Sequence, residues 1–147
     1  MKRTLLLDSN IIIKGLVTQW TPARAVLTLC AARTFKLTLA HEVDLEVKRN
    51  LPLLVRRLGL TTDLSALYLA WQRACRPERI RPMRDAEVAQ AEPLIAHSHD
   101  APILAAAIYY QPDFLLTNNR RHFSDAVATT TGLTIVSDEE FFARLNK

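Results

Sequence analysis

Cysteine is scarce in this chain. Cys30 and Cys75 are the only two, each set in a helix-like stretch and far from any second Cys or His at metal-ligand spacing. That excludes a structural zinc site and a disulfide framework, and makes a reducing compartment the simpler expectation. Long apolar runs are also missing. No stretch approaches the roughly 18 consecutive apolar residues of a membrane span. The amino terminus imitates a secretory leader for a few residues, with Lys2 and Arg3 before Leu5-Leu6-Leu7, but Asp8, Asn10 and Lys14 interrupt the apolar segment that export needs. A soluble, cytoplasmic protein is the expectation. The chain shows no repeat, low-complexity tract or linker, so residues 1–147 read as one domain.

What is present is enough apolar material for a single core, at 49% hydrophobic residues in 147. Nineteen Lys and Arg stand against 15 Asp and Glu, a formal charge of +4 and a pI near 9.4. The excess favours an anionic partner without specifying one.

The apolar run Thr4 to Leu7 has no alternation, as expected of a strand buried on both faces in a parallel sheet. A helical tract follows from about Asn10, and a second starts at Thr21-Pro22, with Thr as N-cap and Pro in the first turn, running to about Arg33. Phe35 to Leu39 reads as a strand. From His41, Val43, Val47, Leu51, Leu54 and Leu58 recur at helical spacing up to Gly59, with Pro52 expected to bend the helix. Further helices are expected over Leu64–Cys75, Asp85–Ala96, Asp100–Tyr110 and Asp138–Leu145. Further strands are expected around Ile80, over Phe114–Thr117 and over Thr134–Val136. Strands alternating with helices define an α/β fold with a mainly parallel sheet of about five strands.

In such a sheet, ligands bind beyond the carboxyl ends of the strands, near the point where the strand order reverses. Asp8 follows the first strand directly, Asn118 and Asn119 follow Phe114–Thr117, and Asp100 opens the buried helix leading into that strand. Crowded carboxylates repel one another unless a cation neutralises them, and oxygen ligands of this kind suit Mg²⁺ or Mn²⁺. Such an ion lowers the pKa of a bound water and offsets charge on a phosphoryl group, so phosphodiester hydrolysis is a natural reaction for the set. Asp8 and Asp100 read equally well as helix caps. On the helix after the second strand, Glu46 flanks the apolar stripe on one side and Asp44 on the other, with Glu42 one turn before Glu46; spacing leaves all three open. Thr-Asn-Asn is also ordinary turn chemistry. His97-Ser98-His99 reads as an exposed loop and cap rather than as ligands or an acid/base pair. Lys14, Lys48, Arg49, Arg56 and Arg57 read as solvated helix faces. Arg120 and Arg121, next to the acidic set, are the candidate phosphate-holding cations.

Taken together the segments resemble the PIN-domain nucleases, especially the VapC-like toxin ribonucleases of toxin–antitoxin pairs, nearly end to end. Leu5-Leu6-Leu7-Asp8-Ser9-Asn10-Ile11 looks like the family's opening strand and first acid, and Leu39-Ala40-His41-Glu42-Val43-Asp44-Leu45-Glu46 like the segment of the second. That alignment selects Glu46. Asp100-Ala101-Pro102-Ile103-Leu104 resembles the third acidic motif, Leu115-Leu116-Thr117-Asn118-Asn119-Arg120-Arg121-His122-Phe123 the last, and Ile135-Val136-Ser137-Asp138-Glu139-Glu140-Phe141 the usual ending.

The resemblance implies a three-layer α/β/α fold and an Mg²⁺- or Mn²⁺-dependent endoribonuclease, with Asp8, Glu46 and Asp100 holding the metal and Asn119 completing the catalytic set. It also implies an RNA substrate, an antitoxin partner and a homodimer. Asn119 stands where many relatives carry a fourth Asp, a neutral ligand that lowers the site's negative charge and leaves a second metal less firmly held. His97 and His122 stand near positions where some relatives carry a further acid. The rival expectations are a catalytically weakened PIN-like RNA-binding or scaffold protein, suggested by Asn119, and a phosphoryl-aspartate enzyme using Asp8. Asn10 argues against the last, because such enzymes usually repeat an Asp at that position.

Overall fold

The computed structural model describes residues 2–146. Along them run β1 (Thr4–Leu7), α1 (Ser9–Val17), α2 (Pro22–Ala31), β2 (Lys36–Ala40), α3 (His41–Leu58), α4 (Leu64–Cys75), β3 (Glu78–Ile80), α5 (Asp85–Ala91), α6 (Ala101–Tyr110), β4 (Phe114–Leu116), α7 (Asp125–Thr131), β5 (Ile135–Val136) and α8 (Asp138–Leu145). Every strand pairing is parallel, in the order β3-β2-β1-β4-β5. The helices α1 to α4 pack on one another, with α8 against α2, while α5 and α6 form a second packed pair, in keeping with an α/β/α arrangement.

Because β1 is central, its leucines are covered on both faces: Leu5, Leu6 and Leu7 are buried, each worth about 1.5–3 kcal/mol relative to exposure. This is why the run shows no alternation. The chain order leaves β1 toward β2 and β3 in one direction and reaches β4 and β5 in the other, so the reversal point lies between β1 and β4. The ladder there extends one residue past the strand, through an Asp8 N–H donated to the Leu116 carbonyl at 2.9 Å. The residues following β1 and β4 therefore start side by side. Helix α1 is held close to α2 by Gly15, where a Cβ would come within 2.6 Å of Leu27 Cδ1 and 2.9 Å of the Ala23 carbonyl.

The expected elements are present, with three differences. Helix α5 stops at Ala91, and Pro93 sits in a separate short 3₁₀ turn, Glu92–Leu94, where its missing N–H costs nothing. A second 3₁₀ turn, Ser98–Asp100, leads into α6. Helix α7 is an addition to the sequence reading. Ser124 caps it by accepting the Val127 N–H, and Gly132 ends it at φ 76°. Its Ala-Thr-Thr-Thr composition is poor in helix formers and buries only Val127, so periodicity had nothing to register. Helix α3 is continuous through Pro52, and no helix among the described residues is long and apolar enough to cross a membrane.

Candidate active site

An open cleft of about 390 Å³ lies over the carboxyl ends of β1 and β4. Asp8, Ser9 and Asn10 line it from the end of β1, Glu46 from α3, Asp100 and Ile103 from the start of α6, and Asn119 and His122 from the segment after β4. His97 and His99 complete the wall. The predicted residues Asp8, Glu46, Asp100 and Asn119 thus border one space, although they are as far apart as 111 positions in the chain.

Asp8 is both a cap and a cleft residue. Its Oδ1 accepts the Ser9 N–H at 2.7 Å, while Oδ2 accepts the Thr117 hydroxyl at 2.8 Å and the Asn10 amide at 3.2 Å. Thr117 uses its whole capacity here: besides donating to Asp8 it accepts the Asn119 N–H and the Asn10 amide. Burial pushes the Asp8 carboxyl up to about 6, and the charges of Glu46 and Asp100 add to the rise against the opposing bonds from Thr117 and Ser9. Among the described residues no Lys or Arg lines the cleft to offset this charge.

Asp100 is buried, and its Oδ2 lies 2.7 Å from His122 Nδ1. A carboxylate only accepts, so Nδ1 carries the proton. The Asn119 amide sits 2.8 Å from the same nitrogen. Since that nitrogen is donating, the amide oxygen is the atom that fits there. The His122 ring is in turn stacked on His97.

The three acids left open on α3 separate by partner. Asp44 turns to α4, accepting the Tyr68 hydroxyl at 2.7 Å and the Gln72 amide at 3.4 Å, with Lys48 3.0 Å away. Glu42 accepts the Met83 N–H at 2.8 Å. Glu46 alone of the three lines the cleft with Asp8 and Asp100. Its carboxylate and the other two surround the space without closing on a point: among the described residues no three His, Cys, Asp or Glu side chains form a ready-made ion cage. Oxygen donors around an open, water-accessible space fit a divalent cation that keeps part of its water shell.

The cations are placed differently from expectation. Arg120 is outside the cleft lining and bound to Asp125, to Glu140 and to the Phe123 carbonyl, because the starts of α7 and α8 each bring an acid within its reach. Arg121 is exposed and outside the lining. Lys14 pairs with Asp138 at 3.7 Å, and Asp138 also accepts the Asn118 amide, so Asn118 supports the rim rather than facing the cleft. Read from sequence, Thr117 and Asn10 had no part in the cleft; His97 and His122 stood out only as replacing an acid of some relatives, and His97 and His99 otherwise read as loop and cap. Thr117 and Asn10 did carry a signal: each is polar, immediately beyond a buried strand and beside a candidate acid.

A family described as PIN domain matches residues 4–121. The chain belongs to the PIN-domain family. PIN domains are generally nucleases, and residues 4–121 contain every acid of the cleft. Among solved structures, PAE2754 from Pyrobaculum aerophilum is similar over 99% of this chain and 90% of its own, with a TM-score of 0.61 at 17% identity. VapBC2 from Rickettsia felis, bound to a DNA fragment from its promoter, is similar over 91% of this chain and 98% of its own, with TM-score 0.60 at 14% identity. FitAcB from Neisseria gonorrhoeae is similar over 91% and 97%, with TM-score 0.59 at 16% identity. At such identities the likeness is one of fold. No curated protein sequence matches significantly.

Proposed function

We propose that this PIN-domain protein is a metal-dependent endoribonuclease that hydrolyses RNA phosphodiester bonds, with Asp8, Glu46 and Asp100 as the residues that hold Mg²⁺ or Mn²⁺. The observation that carries the reading is the environment of Asp8: a buried carboxyl raised to about 6, in a cleft lined by two further acids and, among the described residues, by no Lys or Arg. A bound divalent ion supplies Lewis-acid stabilisation of phosphoryl charge and lowers the pKa of water. The chain's own groups do the positioning. Ser9, Thr117 and Asn10 fix the Asp8 carboxylate, and the His122 Nδ1–H donated to Asp100 fixes the third acid. Asn119, wedged against His122, presents the other edge of its amide for a water in the cleft.

The net charge of +4 supports an RNA substrate, although Arg120, held by two acids, is a poor phosphate contact unless that network opens. Arg121 is the freer candidate. The VapBC2 and FitAcB neighbours are two-component complexes, which supports an antitoxin partner for this chain and a role as the toxin of such a pair. A homodimer, a cytoplasmic location and a single domain over residues 1–147 belong to the same proposal.

The test is cleavage of single-stranded RNA in Mg²⁺ or Mn²⁺ by wild-type protein and by Asp8→Asn and Asp100→Asn. Loss of cleavage in both variants, with unchanged circular dichroism, is expected. Unchanged cleavage by a clean Asp8→Asn sample overturns the assignment. A second reading, a PIN-like RNA-binding or scaffold protein with weakened catalysis, is favoured by the neutral Asn119 and the absence of a closed ion cage among the described residues. It predicts RNA binding by the wild-type protein without cleavage in either metal.

A further inference from the structure

His122 orients Asp100, whereas His97 has no such task. The two rings lie face to face, with centroids 3.6 Å apart and planes 26° from parallel. His122 is the fixed half, held by Asp100 at 2.7 Å and by Asn119 at 2.8 Å. His97 is the open half: it precedes the Ser98–Asp100 turn, is exposed, and lines the same cleft as the three acids. Its backbone carbonyl accepts the Asp100 N–H at 3.0 Å, so the ring is carried on a segment tied to the acid itself.

One face of His97 is thus covered by an aromatic neighbour of set orientation, while the residue remains open to solvent. A flat ring held in this way at the wall of a cleft is a surface on which an unpaired nucleobase stacks. A base inside a duplex has both faces occupied by its neighbours, and has none to offer. Packing alone does not require an aromatic ring at position 97, because the His122 ring is already oriented by its two hydrogen-bond partners.

We propose that His97 stacks on an unpaired base of the substrate adjoining the phosphate in the cleft. The inference rests on the ribonuclease reading and adds a substrate-contacting residue to it. His97 is a specificity-determining residue here, recognising a π-face and therefore tolerant of base identity.

The test uses a short single-stranded oligoribonucleotide carrying 2-aminopurine at successive positions, titrated with the full chain in EDTA so that binding is read without cleavage. Wild-type protein is expected to quench the fluorophore at one position. His97→Ala loses that quenching and weakens binding roughly five- to hundredfold. His97→Phe keeps both, and His97→Asn keeps neither. An abasic residue at the quenched position weakens wild-type binding by a similar factor, and weakens His97→Ala no further. A residue that merely holds His122 in place gives losses that multiply instead, and that result overturns the proposal. It is equally overturned by an absence of quenching with wild-type protein, or by retention of affinity in His97→Asn with loss in His97→Phe, which assigns the contact to hydrogen bonding. Quenching that persists while added Mn²⁺ produces no cleavage sinks the ribonuclease reading and leaves the stacking contact standing.

Discussion

Asp8 and Asp44 are both buried carboxylates, 5% and 8% exposed, and their environments drive them in opposite directions. Burial would raise Asp44 as it raises Asp8. At Asp44, however, hydrogen bonds from Tyr68 and Lys48 and the Lys48 charge prevail, and hold the carboxyl below the usual carboxylate range. At Asp8 the bonds from Thr117 and Ser9 are outweighed by burial, with Glu46 and Asp100 adding to the rise, and the carboxyl reaches about 6. Asp44 is an acid whose charge the fold compensates, in keeping with a structural duty between α3 and α4. Asp8 is an acid whose charge the fold leaves exposed to two others, in keeping with a group that awaits a cation from outside. The difference separates a carboxylate that builds the protein from one that serves its cleft.

Substitutions separate the two kinds of carboxylate. The largest effect is expected for Asp100→Asn, which removes a proposed metal-holding carboxylate from the uncompensated set. RNA cleavage should fall by more than about a hundredfold, beyond the 10–100-fold typical of losing an outer-shell partner. Retained cleavage would put Asp100 in the same structural class as Asp44. Next is His122→Ala, which deprives Asp100 of its hydrogen-bond donor. Mn²⁺ affinity, read by calorimetry, should weaken by about 10–100-fold with the fold intact, and unchanged affinity would show that Asp100 needs no orienting partner.

Asp44→Asn should have the converse signature. Chemical denaturation is expected to show a loss of about 1–3 kcal/mol, while the folded variant cleaves RNA at the wild-type rate. Because the folded-state value of Asp44 is depressed, its contribution is present above the ordinary carboxylate range and disappears as pH falls through its lowered value. Asp8 has the opposite sign. Its folded value is raised, so the cost of ionising it grows as pH climbs from about 4 to about 6. In EDTA, Asp8→Asn should therefore be more stable than wild type at pH 7, by on the order of 1 kcal/mol once lost hydrogen bonds are deducted, and this advantage should vanish below pH 4. An advantage that persists at pH 3 would trace to something other than the charge.

Much of this architecture was legible in the residues. The unalternating Leu5-Leu6-Leu7 run announced a central parallel strand, and Asp8 beyond its end announced the cleft, because the carboxyl edge is where a parallel sheet offers room for ligands. Glu46, Asp44 and Glu42 were inseparable by spacing. What distinguishes them is Tyr68 and Gln72 of α4 and the Met83 backbone, partners 24 to 41 positions away that no local pattern reveals. Arg120 looked like a phosphate contact from its place beside Asn119, until α7 and α8 supplied Asp125 and Glu140 to hold it. Helix α7 itself was invisible for want of apolar periodicity. His97 and His122 illustrate the same limit: their stack joins a loop before α6 to a turn after β4, and a loop's exposure says nothing about which wall it forms.

Asp8, Glu46 and Asp100 border a cleft with no Lys or Arg among its described lining residues, and an external cation is expected to offset their charge. Calorimetric titration of Mn²⁺ into wild-type, Asp8→Asn and Asp44→Asn protein tests it most directly. Saturable binding to wild type, binding preserved in Asp44→Asn, and none in folded Asp8→Asn are expected. Equal binding by the wild-type and Asp8→Asn proteins, or no binding by any of them, would contradict this expectation.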